Sequence, residues 1–288
     1  MSACVGGLVE GSPEAGAALG SVTSLALEGN SLCRLLVRAG AVSRLLTICS
    51  SSPTVALRVA GLRALGSICC VLEGIQQFSK LGGSDLVVAV LGDQAKGEEE
   101  RREAAGVLAQ VSSPWIEGNP GLDQMEGAAL QDIVLSLKDL ISSSASLETF
   151  LLCSAALANL TCMLPAALPL VSSSSLPLLL LSHSAASSSS VYILEQLVTI
   201  LVNLAKLAPA RHQLGRAGAL SFLFSVLRLV EDGGRAEAEA VVRAATERTV
   251  SKACIAVARL CLQPGTADCV VRQGGLDRLF PLAEVGGW

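Results

Sequence analysis

One short apolar signature recurs along this chain at a nearly constant interval, and no feature constrains the fold more. ALGSI covers 64–68, VLAQV 107–111, ALANL 156–160, ILVNL 200–204 and AVARL 256–260, with a weaker copy, TSLAL, at 23–27. The fourth residue of each full copy is polar: Ser67, Gln110, Asn159, Asn203 and Arg259. In the weak copy the polar place falls to Ser24, the second residue of the five. The steps between these markers are 43 (24 to 67), 43 (67 to 110), 49 (110 to 159), 44 (159 to 203) and 56 residues (203 to 259). Self-similarity at such a period is the mark of a repeat array, in which each unit buries its apolar face only against its neighbours.

A second marker follows each signature. LVRAGAVSRLL (36–46), FSKLGGSDLVVAVL (78–91), LGRAGALSFLFSVL (214–227) and VVRQGGLDRLFPLA (270–283) each read as a short helix, a glycine and a second apolar helix. Gly40, Gly83, Gly218 and Gly275 are the residues expected to take the left-handed conformation that ends a helix. MEGAALQDIVLSL (125–137) and LVSSSSLPLLLLS (170–182) are degenerate versions; serine replaces glycine in the second, so that junction must differ. Each repeat is then two helices joined at glycine, a polar loop and a third helix that carries the marker. Three helices in about 40 to 47 residues indicate armadillo repeats rather than two-helix HEAT repeats. The expected fold is all-α: a right-handed superhelical solenoid of about six armadillo-like repeats, the first incomplete. No stretch has the alternation and hairpin turns of a sheet.

Residues 1–20, MSACVGGLVEGSPEAGAALG, are small, Gly-rich and aperiodic, and are expected to be disordered, with the repeat domain spanning 21–288. Terminal repeats need polar caps, and none precedes Ser21, so a fragment or a short product of something longer is expected. Serine-rich and acidic stretches at 50–56, 92–100, 141–146, 182–190 and 231–240 read as loops between helices. The run EEERRE (98–103) suits a helix N-terminus and reads as a solvated helix start.

Composition narrows the function classes. The formal net charge of −4 supplies no basic field for nucleic acid or an anionic membrane. LPAALPLVSSSSLPLLLL (164–181) is apolar enough to raise a membrane span, but three prolines and four serines break it, and it reads as a turn region. The ten cysteines include no C-x-x-C, and only His183 and His212 could join them at a metal. Cys254 and Cys261 share a helical face and read as packing. Thiols in apolar runs, without a leader sequence, fit a reducing compartment. No nucleophile elbow, phosphate loop or dinucleotide fingerprint occurs, so neither catalysis nor a cofactor is expected.

The markers are the candidate site. Leu65, Leu108, Leu157, Leu201 and Val257, two residues before each marker, fall on the opposite side and are the core candidates. A polar residue at one fixed place in every repeat fits a helix face that lines a groove, because an unpaired buried amide costs about 1–3 kcal/mol. The residues four before the markers share that face: Arg63, Gly106, Ala155, Thr199 and Ile255. The proposed peptide-binding groove is Arg63, Ser67, Gln110, Asn159, Thr199, Asn203 and Arg259. Tryptophan is absent from these places, and Trp115 and Trp288 lie elsewhere, which argues against a nuclear-transport-like receptor for basic signals.

The segments LRALGSICC (62–70), EERREAAGVLAQVSSPWIEGN (99–119), ETFLLCSAALANLT (148–161) and QLVTILVNLA (196–205) resemble the C-terminal armadillo domain of the Inscuteable family. AAGVLAQVSSPW is the most specific of them; the serine-rich stretches at 172–175 and 187–190 depart from the pattern. The resemblance implies a non-enzymatic adaptor in asymmetric cell division, cell polarity and spindle orientation. It implies a Bazooka/Par-type polarity partner in the groove, and a cytoplasmic protein recruited to the apical cortex. In that family the Pins/LGN-binding segment precedes the armadillo domain; residues 1–20 hold nothing like it, so Pins/LGN binding is expected only with such a segment present. In armadillo proteins generally, the marker asparagine holds the backbone of an extended peptide; Asn159 and Asn203 match it, and Gln110 is a longer substitute. The other reading is a general armadillo peptide-binding module, of nuclear-transport-like or junctional type.

Overall fold

The computed structural model describes all residues except 1, 10–11, 120–121, 123–126, 188–189, 232–239, 278 and 280–288. Among the described residues every regular element is a helix and none is a strand. The chain divides into two compact units, Met1–Leu164 and Pro165–Trp288.

The first unit opens with α1 (Ser2–Gly6) and α2 (Ala15–Leu27). The expected boundary at residue 21 therefore falls inside a helix. The buried residues of α2, Ala15, Ala18, Leu19, Val22 and Ala26, form one continuous face across that boundary. Two complete repeats follow: α3 (Asn30–Arg38), α4 (Ala41–Ser51) and α5 (Val55–Ile68), then α6 (Leu72–Lys80), α7 (Gly83–Gly92) and α8 (Glu98–Val111). The next repeat contributes α9 (Gly127–Ser143) and α10 (Leu147–Met163). Where its short first helix belongs, the described residues 112–119 form turns, and Asn119 ties them by donating from Nδ2 to the carbonyls of Val111 and Ser113.

The second unit holds α11 (Ala167–Ser173), α12 (Leu176–Ser187) and α13 (Val191–Leu204), then α14 (Ala208–Arg216), α15 (Ala219–Glu231), α16 (Ala240–Leu260) and α17 (Thr266–Arg272). The apolar stretch 164–181 is thus two helices, not one turn region. Pro169 and Pro177 lie in the first turns of α11 and α12, where proline's missing N–H costs no hydrogen bond. Among the described residues no helix is long and apolar enough to cross a membrane. The loop expected at 231–240 falls almost wholly outside the described residues, as do Trp288 and most of the last apolar segment.

The glycine junctions hold, with a shift in register. Gly40 and Gly218 adopt φ of 83° and 84°, as expected. At the two double-glycine junctions it is Gly82 (φ 76°) and Gly274 (φ 67°) that turn left-handed, not Gly83 and Gly275. The second glycine does a different job. A Cβ on Gly83 would run into the Phe78 ring, and one on Gly275 would stand 2.7 Å from Phe224. In the other junctions Ala41 and Ala219 occupy that place. The serine junction differs as anticipated: Ser174 is extended, its hydroxyl donating to the Val171 carbonyl at 2.7 Å.

The core lies where the period places it. Leu65, Leu108, Leu157, Leu201 and Val257 are all buried, at most 4% exposed.

Candidate functional site

The third helices stack side by side within each unit, so a marker can reach the helix beside it. In the first unit Gln110 Nε2 donates to the Cys69 carbonyl at 3.4 Å, and Asn159 Nδ2 to the Ala109 carbonyl at 2.7 Å. In the second, Arg259 Nη1 donates to the Val202 carbonyl at 2.7 Å. Each acceptor lies in the last turn or C-cap of the preceding third helix, where carbonyls lack an intrahelical partner. The markers thus cap the helix beside them, a use of the amide that repeat spacing alone did not reveal. Ser67 instead returns its hydroxyl to the Arg63 carbonyl in its own helix. Thr199 does likewise to Glu195, and accepts from Lys252 Nζ at 3.0 Å. Asn203 is buried.

Three of the predicted residues come together. Arg63, Ser67 and Gln110 line one groove of about 540 Å³ in the first unit. Its apolar lining includes Leu27, Leu62, Val107 and Leu152, and its acidic lining Glu103 and Glu148. Asn159 is half-buried one helix further along and does not line it. Thr199, Asn203 and Arg259 belong to α13 and α16 of the second unit and are described with it.

The helix starts at Glu98 with Glu98 and Glu99 exposed, as expected, but the charges after them are not solvated. Glu100, Arg101 and Glu103 are buried. Glu100 accepts a two-pronged bond from Arg58, Nε to Oε1 at 2.8 Å and Nη2 to Oε2 at 3.0 Å, and also a bond from Lys96. The Arg58 hydrogen bonds hold the Glu100 carboxyl below its ordinary range against the cost of burial. Glu98 is lowered by the hydroxyls of Ser144 and then Thr149. Glu103 receives Arg63 and Arg102, and Arg102 also reaches Glu99 and Glu148. In the second unit burial pushes Glu195 up, but Arg248 (2.8 and 3.1 Å) and Lys252 (3.1 Å) overcome it and hold the carboxyl low. The sequence did carry a signal for both networks: Glu195 is the one charge in its apolar helix, and Arg58 and Arg63 are the two in theirs.

The cysteines are all unbridged. Burial pushes the Cys49 and Cys153 thiols up to about 12, which suits packing rather than chemistry. Cys70 differs: it lines the groove, and its thiol donates to Cys33 Sγ at 3.3 Å. Among the described residues no group of three or more histidines, cysteines or carboxylates could hold a metal ion.

Comparison with known proteins places this geometry. Residues 13–286 match the family model described as Protein inscuteable C-terminal. The chain is 33% identical to a protein named Protein inscuteable homolog from Mus musculus, over 268 residues and 92% of this chain. It is equally similar to the Homo sapiens protein of that name. It spans 45% of the length of either relative. Among solved structures, a designed armadillo repeat protein superposes with a TM-score of 0.68 at 21% identity, covering 90% of this chain and 99% of that one. A second designed armadillo repeat protein, solved with a (KR)4 peptide, gives 0.62 at 21% identity, covering 87% and 98%. These structures establish the armadillo fold.

Proposed function

The chain belongs to the Inscuteable family, and from that premise we propose that it is a non-enzymatic adaptor that holds an extended segment of a Bazooka/Par-type polarity protein in the groove of its first unit. The single observation that carries this is the meeting of Arg63, Ser67 and Gln110, from two successive third helices, on one groove of about 540 Å³. Repeat arrays bind partners along such stacked faces because each repeat contributes side chains at a fixed spacing. Asn159, Thr199, Asn203 and Arg259 remain proposed contact residues, each within its own unit; the Asn159 amide and the Arg259 guanidinium also fix the ends of neighbouring helices. Function in asymmetric division and spindle orientation, and recruitment from the cytoplasm to the apical cortex, follow from the family and are part of the proposal. So is Pins/LGN binding only where an N-terminal segment accompanies the domain.

The experiment is a pull-down with this chain as bait, offering the C-terminal region of a Bazooka-type protein and, separately, a basic nuclear-import signal peptide. Capture of the polarity region alone supports the adaptor. Capture of the basic signal alone supports a nuclear-transport-like module instead, and failure with both rejects the groove.

A further inference from the structure

Glycine inside a helix is disfavoured relative to alanine, because it gives up more chain freedom and packs nothing. An interior helical glycine therefore needs a reason. Gly61 and Gly74 have one: a Cβ would stand 2.8 Å from Cys49 Sγ in the first case and 2.6 Å from the Ile68 carbonyl in the second. Gly20, Gly66 and Gly106 do not. A Cβ on Gly20 meets nothing within 4 Å; on Gly66 its nearest contact is Val107 at 3.9 Å, and on Gly106 it is Leu152 at 3.4 Å. The fold has room for alanine at all three, and none of them has a left-handed φ.

Two of them share a position. Gly106 is four residues before Gln110 and Gly66 immediately precedes Ser67, whereas Gly20, on α2, does not line the groove. Gly66 and Gly106 lie on α5 and α8, successive third helices of one unit. Gly66 and Gly106 both line the groove. Missing side chains there leave space for something outside the fold, and the use of glycine that fits is close approach by another backbone.

The lining says what that backbone carries. Leu27, 75% exposed, and Leu152 offer apolar surface to the groove. Beside them stand Glu103, which Arg63 and Arg102 both hold, and Glu148, which meets Arg102 at 3.3 Å yet is 59% exposed. Arg63 rests its guanidinium on Glu103 while remaining half-exposed, so Glu148 is the carboxylate open to a partner's cation. We infer that the first unit's groove is cleared by Gly66 and Gly106 for an extended peptide that sets an aliphatic side chain on Leu27 and Leu152 and an adjacent arginine or lysine against Glu148. This rests on the groove being the binding site, and adds the chemistry of its occupant.

The test is fluorescence anisotropy on the whole chain with three labelled Gly/Ser peptides whose centres are Leu-Arg, Leu-Glu and Ser-Arg. The Leu-Arg peptide binds tightest. Replacing Gly66 and Gly106 together by alanine leaves melting unchanged or raised, yet weakens Leu-Arg binding by about tenfold or more. Glu148→Gln narrows the gap between Leu-Arg and Leu-Glu. Gly215→Ala, an open helical glycine of the second unit, changes nothing. Equal binding of Leu-Arg and Leu-Glu, undiminished binding by the double alanine variant, or no binding of any peptide overturns the inference. A chain that captures the Bazooka-type region without the Leu-Arg preference keeps the adaptor reading and loses this one. The Leu-Arg preference without such capture does the reverse.

Discussion

On the third helices of Met1–Leu164, the place four residues before the marker is held by Gly20, Arg63, Gly106 and Ala155; in Pro165–Trp288 it is held by Thr199 and Ile255. The first set is mostly small, and its Arg63 and Gly106 line the groove with Glu103 and Glu148. The second is bulkier, and its Thr199 accepts from Lys252. The buried ion networks are also inverted. In the first unit the acid, Glu100, is on the later helix and Arg58 on the earlier, whereas in the second Glu195 is on the earlier and Arg248 on the later. Glu100 is the more completely enclosed, because Arg58 is 16% exposed against 52% for Arg248. One repeat period therefore fixes where a side chain points without fixing what it does. The core layer is common to both units, and the marker layer is where they differ.

That contrast can be broken by measurement, beginning with the largest effect. Glu100→Ala should destabilise the chain by about 3–5 kcal/mol, since it strands Arg58 and Lys96 around a buried site. Glu195→Ala should cost less, about 1–2 kcal/mol, because Arg248 can turn to water. Denaturant melts that give equal losses would erase the distinction. Leu157→Ala and Leu201→Ala, in contrast, should cost a similar amount, about 2–5 kcal/mol each, if the core layer is shared. Acid titration of stability comes next. Glu100, Glu98 and Glu195 are all held below the ordinary carboxylate value. Their stabilisation is therefore complete above that value and is lost as pH falls through the lowered folded-state values. Glu100→Gln should flatten this acid limb more than Glu195→Gln does. The smallest effect is the marker cap: Asn159→Ala should cost about 1 kcal/mol, one hydrogen bond to the Ala109 carbonyl, with helicity unchanged by circular dichroism. No loss would mean that the amide serves only a partner.

The sequence made the period, the three-helix repeat and the core legible, because apolar spacing and burial obey the same geometry. Leu65 and Leu157 could be placed in the core from the marker alone. The marker face was legible as a position but not as chemistry. Nothing in ALANL shows that Asn159 reaches a carbonyl 50 residues earlier, since a polar residue on a groove and one capping a neighbour leave the same trace. The double-glycine junctions were misplaced by one residue because either glycine can turn left-handed; only the Phe78 ring beside Gly83 decides between them. EEERRE looked solvated because charge usually is; Glu98 and Glu99 are exposed, whereas Arg58 and Arg63, about 40 residues away, hold Glu100 and Glu103 in the interior. A helix crossing residue 20 was hidden by small residues whose packing against the next repeat has no local signal.

The central claim, that the first unit's groove receives the partner, has a direct test at Cys70. This thiol lines the groove, whereas Cys162, on α10 of the same unit, is exposed and does not line it. Alkylation by iodoacetamide, followed residue by residue by mass spectrometry, should slow at Cys70 when the Bazooka-type C-terminal region is bound and stay unchanged at Cys162. A bound complex in which Cys70 reacts as fast as in the isolated chain would contradict the account.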